Sequence, residues 1–292
     1  MAQLVEIVGV THTPFLPRIL ANAEEGSIAE KVRGDYHRMR EKLDEAKPDL
    51  IITVASDHLN QWFMDNMPAF LVGKSPSTHG PYPHEMKNFG LAPYEMKIDQ
   101  QAATCLIEEG FKARVDFAYS DEFMVDHAFT VPLNFVRPEQ DIPIVPIFTN
   151  VMGVPVPPPL RFYQVGEALR EMIEALPGNQ RVAVVSSGHL SVEIGGPKSG
   201  RGPADLEFDN RMMEIIGDGD IDALLREATP ERMMQAGNVT NGFLNYILLC
   251  GVAKGKKPSD SGVTYLGGTL SSSTPHMAWD VHKEARLAVG AR

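Results

Sequence analysis

Leu50–His58 reads LIITVASDH. Six apolar or β-branched residues run without interruption, which is the pattern of a strand buried on both faces. Small polar residues and a histidine follow at once. The same phrase occurs twice more. Leu4–Val10, LVEIVGV, leads into Thr11-His12, and Val182–Ser187, VAVVSS, leads into Gly188-His189. Between and around these runs lie longer stretches with helical spacing. Ala23–Lys47 is rich in Glu, Lys and Arg, as an exposed amphipathic helix is. Gln100–Gly110 and Pro159–Leu176 also read as helices, the second ending at Pro177-Gly178. Ile142–Phe148, IPIVPIF, reads as extended. Strands alternating with helices predict an α/β fold: a sandwich with a central, mostly parallel or mixed sheet flanked by helices. No linker divides the chain, so residues 1–292 are expected to form one domain. Gly73–Pro93, rich in Gly, Pro, Ser and His, reads as a long loop of the kind that covers sites. Beyond Pro203 the chain reads as mainly helical until Val263–Leu270.

Composition narrows the function classes. The 292 residues are 43% hydrophobic and carry a net charge of −11. Such an acidic balance, with no basic run, argues against nucleic acid and anionic membranes as partners. No run approaches the ~20 apolar residues of a membrane helix. The start, MAQLVEIVGV, has no basic residue ahead of its apolar stretch and does not read as a secretory signal. Two cysteines, Cys105 and Cys250, are too few for a disulfide framework and fit a reducing cytoplasm. There is no P-loop, no G-x-G-x-x-G fingerprint, and no G-x-S-x-G elbow around Ser187-Gly188-His189.

The histidines carry the chemistry. His12, His58 and His189 each stand just past the C-terminal end of a predicted buried strand. In open α/β sheets that edge is where ligands bind. His127 follows the acidic stretch Asp121–Asp126 and opens an apolar run. Neutral imidazole is a common ligand of iron, zinc and copper, and two histidines with one carboxylate make the facial triad of non-haem Fe(II) oxygenases. A further imidazole can act as a base near neutral pH. Asp57, beside His58, is a candidate to orient a ligand imidazole. Taken singly, each such histidine is more commonly a loop or core residue; the repeated placement is what raises them together. His37 reads as a charged helix face, His79 and His84 as loop, and His276 and His282 as tail.

Read in order, several segments resemble the class III extradiol ring-cleavage dioxygenases, in particular the catalytic beta subunit of protocatechuate 4,5-dioxygenase and the gallate dioxygenases. They are THTPF at Thr11–Phe15, SDHLNQWF at Ser56–Phe63, DHAFTVPLNF at Asp126–Phe135, the stretch Ile142–Glu174, and VAVVSSGHLSVEIGGPKSG at Val182–Gly200. The resemblance implies a ring-opening enzyme acting with dioxygen on a catechol-like aromatic compound. It implies His12 and His58 as ligands of Fe(II), with another divalent metal as the alternative, and His189 as the base that takes a proton from the substrate. It makes His127 the second active-site histidine and sets Ser271–Thr274 near the substrate. It also implies assembly, as a homo-oligomer or with a small helical subunit.

One position departs from that pattern. The family's third ligand is a late-helix glutamate. Anchoring on Gly237, Tyr246 and Gly251 places Gly242 there, and no carboxylate occurs between Glu231 and Asp260. An amide of Asn238 or Asn245, an exogenous anion or water, a substrate carboxylate, or a more distant acid such as Glu193 are the substitutes. The departure keeps two other readings open: the same pocket with altered or non-oxidative chemistry, and a non-catalytic partner subunit.

Overall fold

The computed structural model describes residues 1–200, 204–267 and 272–283. In chain order the elements are β1 (Gln3–Thr11), α1 (Leu16–Ala21), α2 (Ile28–Ala46), β2 (Leu50–Ser56), β3 (Phe70–Gly73), β4 (Ser77–Gly80), α3 (Pro83–Phe89), β5 (Tyr94–Lys97), α4 (Gln100–Lys112) and β6 (Ala118–Ser120). There follow α5 (His127–Val136), β7 (Ile144–Thr149), α6 (Pro159–Ala175), β8 (Arg181–Gly188), α7 (Leu206–Asp218), α8 (Ile221–Glu227), α9 (Pro230–Ala236), a 3-10 turn (Thr240–Phe243), α10 (Leu244–Val252), β9 (Asp260–Tyr265) and β10 (Ser273–Trp279).

Eight strands form one mixed sheet in the order β6-β3-β7-β2-β8-β1-β10-β9. The four central strands, β7, β2, β8 and β1, run parallel. Their sequences are largely apolar because helices cover both faces, and every residue of β2 and β7 is buried. The outer pairings β3–β7, β1–β10 and β10–β9 are antiparallel. The expected α/β sandwich is therefore present, with a mixed sheet.

Two expectations about organisation need correction. Gly73–Pro93 is not a plain loop: it contains β4 and the short helix α3. Pro83 opens α3 and Glu85 reaches back to accept from the Tyr82 N–H at 3.0 Å, a local start signal that the surrounding Gly and Ser obscure. The tail is not plain tail either. Ser273–Trp279 is β10, paired with β1 and fully buried. His276 lies in that strand, 3.2 Å from the Arg38 guanidinium and beside Asp35 and Asp260. Part of Val263–Leu270 lies outside the described residues; within them Asp260–Tyr265 is β9.

Helices α6 and α10 lie against each other with unusually little between them. A Cβ added at Gly166 would sit 2.0 Å from the Leu248 carbonyl oxygen, and one at Gly251 would sit 2.1 Å from that of Tyr163. These glycines let two backbones approach, and the contact seats α10 close to the ends of β1 and β8. Helix propensity alone favours Gly→Ala by about 1 kcal/mol. Overpacking here costs about 1–3 kcal/mol and wins. Gly166→Ala is expected to lower the melting temperature by several degrees. Gly34→Ala, in α2 with nothing within 4 Å of its new methyl, is expected to raise it. Thermal melts of the two variants check the pair; a stabilised Gly166→Ala would contradict the close-approach account.

Candidate metal centre

The parallel register builds the centre. Thr11 at the end of β1 is level with Gly188 at the end of β8, and Val54 of β2 is level with Ser186. The next residues, His12 and His189, and Asp57-His58 after β2, leave the sheet at one edge. His127 is the first residue of α5, which packs against β2 and β8. All four histidines meet. The ring centroid of His12 lies 4.1 Å from that of His189, 5.1 Å from His58 and 5.6 Å from His127. His58 and His127 stack at 4.3 Å. One ring nitrogen from each of His12, His58 and His189 lies within 4.8 Å of the others.

Hydrogen bonds decide which nitrogen of each ring is free. Ser187 Oγ has one proton and donates it to the Ala128 carbonyl at 2.6 Å. It can only accept from His12, so the 2.9 Å contact is His12 Nδ1–H donating to Ser187 Oγ. His12 Nε2 is then an unprotonated lone pair, fully buried and without a partner. An orphaned acceptor in a buried site is what a metal ligand looks like before the metal is considered. Burial holds the His12 imidazole well below its ordinary range, with His189, His58 and His127 adding to the effect, so it stays neutral.

His58 Nδ1 faces Asp126 Oδ2 at 2.8 Å, and the His58 backbone N–H donates to the same oxygen at 2.7 Å. The other Asp126 oxygen caps α5 by accepting from Ala128 N at 2.8 Å. Burial opposes charge on Asp126, but His58 outweighs it and brings the carboxyl to about 2. Burial likewise opposes charge on His58, and Asp126 raises it nonetheless. The carboxylate thus favours positive charge on that ring, which a divalent cation held by the ring would supply equally well. His127 Nδ1 faces Glu85 Oε1 at 2.5 Å, with Glu85 buried in α3. His189 Nδ1 lies 3.1 Å from Thr11 Oγ1, and burial, with His58 and His127 nearby, lowers this ring to about 3.

The residues proposed to orient or complete the centre stand differently from expectation. Asp57 does not reach a histidine: its Oδ2 accepts from the backbone N–H of Asn60, Gln61 and Trp62, at 2.9–3.0 Å. Asp126 takes that role instead. Asn245 is consumed by Thr149 and the Ser187 carbonyl, and Asn238 by Ile194. The Glu193 carboxylate accepts from Asn238 N at 3.0 Å. Among the described residues no carboxylate joins His12, His58 and His189. Gly242 does face the cluster: a Cβ there would lie 3.4 Å from His189 Cβ and 3.5 Å from its Cδ2.

The cluster opens into a cavity of about 490 Å³ lined by Phe15, Phe89, His58, His127, His189 and Ser272, among others. Its size falls in the roughly 300–1,000 Å³ range of small-molecule sites. Phe15 and Phe89 meet edge to face at 5.1 Å and form an aromatic wall. Of the late serines, Ser272 reaches the cavity; Ser271 lies outside the described residues. Sequence reasoning missed Glu85, Ser187 and the role of Asp126. Asp126 directly before an apolar helix was a readable cap signal, and Pro83-x-Glu85 a readable helix start. Ser187 carried no signal.

Asp126→Asn is expected to weaken metal binding by about 10- to 100-fold, the usual cost of losing a carboxylate behind a ligand imidazole. Titration with Co(II) checks it, and unchanged affinity would remove Asp126 from the centre. The pH dependence has a sign. The Asp126 carboxyl falls from its ordinary 3.8 to about 2 in the folded protein. Its contribution to stability is present above that ordinary value and is lost as pH falls toward 2. Acid unfolding between these limits should be shallower in Asp126→Asn.

Residues 6–274 match the family described as the catalytic LigB subunit of aromatic ring-opening dioxygenase. The 2,3-dihydroxyphenylpropionate/2,3-dihydroxicinnamic acid 1,2-dioxygenase of Escherichia coli strain K12 is 29% identical over 229 residues, which is 78% of this chain and 68% of that one. The enzyme of the same description from the O157:H7 strain EC4115 matches equally. The crystal structure of protein JW3007 from Escherichia coli K12 shares the fold. Its TM-score is 0.60, over 94% of this chain and 99% of that one, at 15% identity. The chain belongs to the family of the catalytic LigB subunit of aromatic ring-opening dioxygenases and is, with that family, a dioxygenase-type enzyme.

Proposed function

We propose that this protein opens the ring of a small catechol-like compound beside its diol, using dioxygen and a divalent metal, Fe(II), held by His12 and His58. The observation that carries the reading is the free Nε2 of His12, buried without a partner beside His58, which itself lines an aromatic-walled cavity. The names of the matching relatives support the substrate class: they act on dihydroxylated aromatic acids.

Fe(II) at these nitrogens supplies the one-electron exchange between a catecholate and dioxygen that neither partner manages alone. The remaining work falls to the chain. Phe15 and Phe89 stack against a ring and keep water out of the cavity. His189, held neutral at the cavity floor, is the base for the proton of a substrate hydroxyl. His127, with Glu85 behind its Nδ1, presents Nε2 to the substrate from the other side of His58. Glu85 fixes the ring's tautomer and orientation, as a carboxylate behind a catalytic imidazole does.

The loss of a carboxylate at Gly242 favours one second reading: the same pocket and substrate class, with non-oxidative chemistry. We further propose that residues 1–292 act as one catalytic unit in the cytoplasm, as a homo-oligomer or with a small helical subunit. Sizing of the purified protein measures that assembly.

Anaerobic purification, iron analysis and oxygen uptake with 2,3-dihydroxyphenylpropionate, protocatechuate, gallate and aminophenols test the main reading. Iron at one per chain is expected, with oxygen uptake that His12→Ala and His58→Ala abolish. His127→Ala should keep iron and lose turnover by about 100-fold or more. Substrate consumption without oxygen uptake marks the second reading. Neither metal nor turnover would sink both and leave a non-catalytic subunit.

A further inference from the structure

We propose that in the resting protein His189 is the third protein donor to the metal, so that the centre is three imidazoles, His12, His58 and His189, rather than two imidazoles and a carboxylate. This rests on the reading of His12 and His58 as metal ligands and goes beyond it.

Geometry makes the first case. A divalent first-row ion bonds imidazole nitrogen at about 2.0–2.1 Å, which places neighbouring donors about 3–4 Å apart. The three candidate nitrogens already lie within 4.8 Å of one another. His189 is nearer to His12, at 4.1 Å between ring centroids, than His58 is, at 5.1 Å. The strand order explains this. β8 lies between β1 and β2, so its histidine emerges between the other two. His127 is placed differently. It is 5.6 Å from His12 and stacked on His58, and it shares no three-donor group with His12.

Elimination makes the second case. Within the described residues no carboxylate groups with these three rings, Asp57 included, although its Oδ1 has no partner. Asp126 holds His58 and caps α5, Asp57 holds the turn after His58, and Glu193 holds Asn238. The Asn245 amide is used on both sides. At Gly242 there is no side chain to compete with His189 or to hold it away, although a Cβ there would lie only 3.5 Å from the ring's Cδ2. The residue change that removes an anionic ligand also clears the space beside the imidazole best placed to replace it.

The consequence is electrostatic. Three neutral imidazoles leave the full +2 charge of the ion uncompensated, whereas a carboxylate would halve it. Such a centre favours a dianionic catecholate. His189 lines the cavity, so with its nitrogen free of a bound ion it would be placed to accept the hydroxyl proton. Donor and base are then roles of one ring in successive states.

The test counts imidazoles and measures affinity, independently of activity. Wild type, His12→Ala, His127→Ala, His189→Ala and the double variant His189→Ala/Gly242→Glu are each loaded with Cu(II) for electron spin-echo modulation and titrated with Co(II). Three coordinated imidazoles are expected in wild type and in His127→Ala. Two are expected in His189→Ala, with Co(II) affinity reduced by at least about 10- to 100-fold, since even outer partners cost that much. Gly242→Glu in the His189→Ala background should restore affinity with the count still at two. Two imidazoles in wild type, or full affinity in His189→Ala, would overturn the proposal while leaving His12 and His58 as ligands. Failure of wild type to bind Co(II), or His12→Ala binding as tightly as wild type, would overturn the underlying reading as well. If His189→Ala does not fold, the count in wild type decides alone.

Discussion

The hydrogen-bonded register of three neighbouring parallel strands, β2, β8 and β1, is the constraint on which the rest of this structure depends. Thr11 stands level with Gly188, and Val54 with Ser186. The ladder therefore ends at one height, and the next residue of each strand leaves the sheet at one edge. A shift of one residue in any ladder would exchange the faces of its side chains. It would also carry a histidine off the common edge. The register is strongly specified because both faces of these strands pack against helices, so a slip would misfit every side chain in a close-packed interior.

Four rings of one residue type acquire different characters from what stands behind them. Ser187 spends its only proton on a carbonyl and so leaves His12 with a naked lone pair. Asp126, fully buried, is satisfied by two backbone N–H groups and the His58 ring, and it holds positive charge near that ring. Burial of a charge is tolerable only under such complete pairing. Glu85 stands behind His127, and a threonine hydroxyl lies beside His189. The imidazole with no carboxylate behind it, apart from fully buried His12, is thus the one with the most freedom to change partners.

Much of this was legible in the residues. Buried strands announce themselves by uninterrupted apolar runs, so β1, β2, β7 and β8 could be located along with the histidines at their ends. The absence of an acid between Glu231 and Asp260 was also plain in the chain, and the structure sets Gly242 beside His189. What escaped were partners contributed from elsewhere. Glu85 lies in a segment whose Gly, Pro and Ser read as loop. Ser187 is one more small residue in a strand. Asp57 seemed placed to orient His58 because it is adjacent, yet adjacent residues on an extended backbone point apart, and it serves the turn instead.

Residue types and their periodicity determined the α/β class, the strands that carry the site and the kind of donor they present, because these follow from local burial pattern and side-chain chemistry. Tertiary structure alone decided that β8 lies between β1 and β2. That order put His189 between His12 and His58, and the packed helices set each ring against its hydrogen-bond partner and left no carboxylate among the described residues within reach of the three. Such facts depend on distances between residues more than a hundred positions apart, which only the closed sheet and the helices packed on it define.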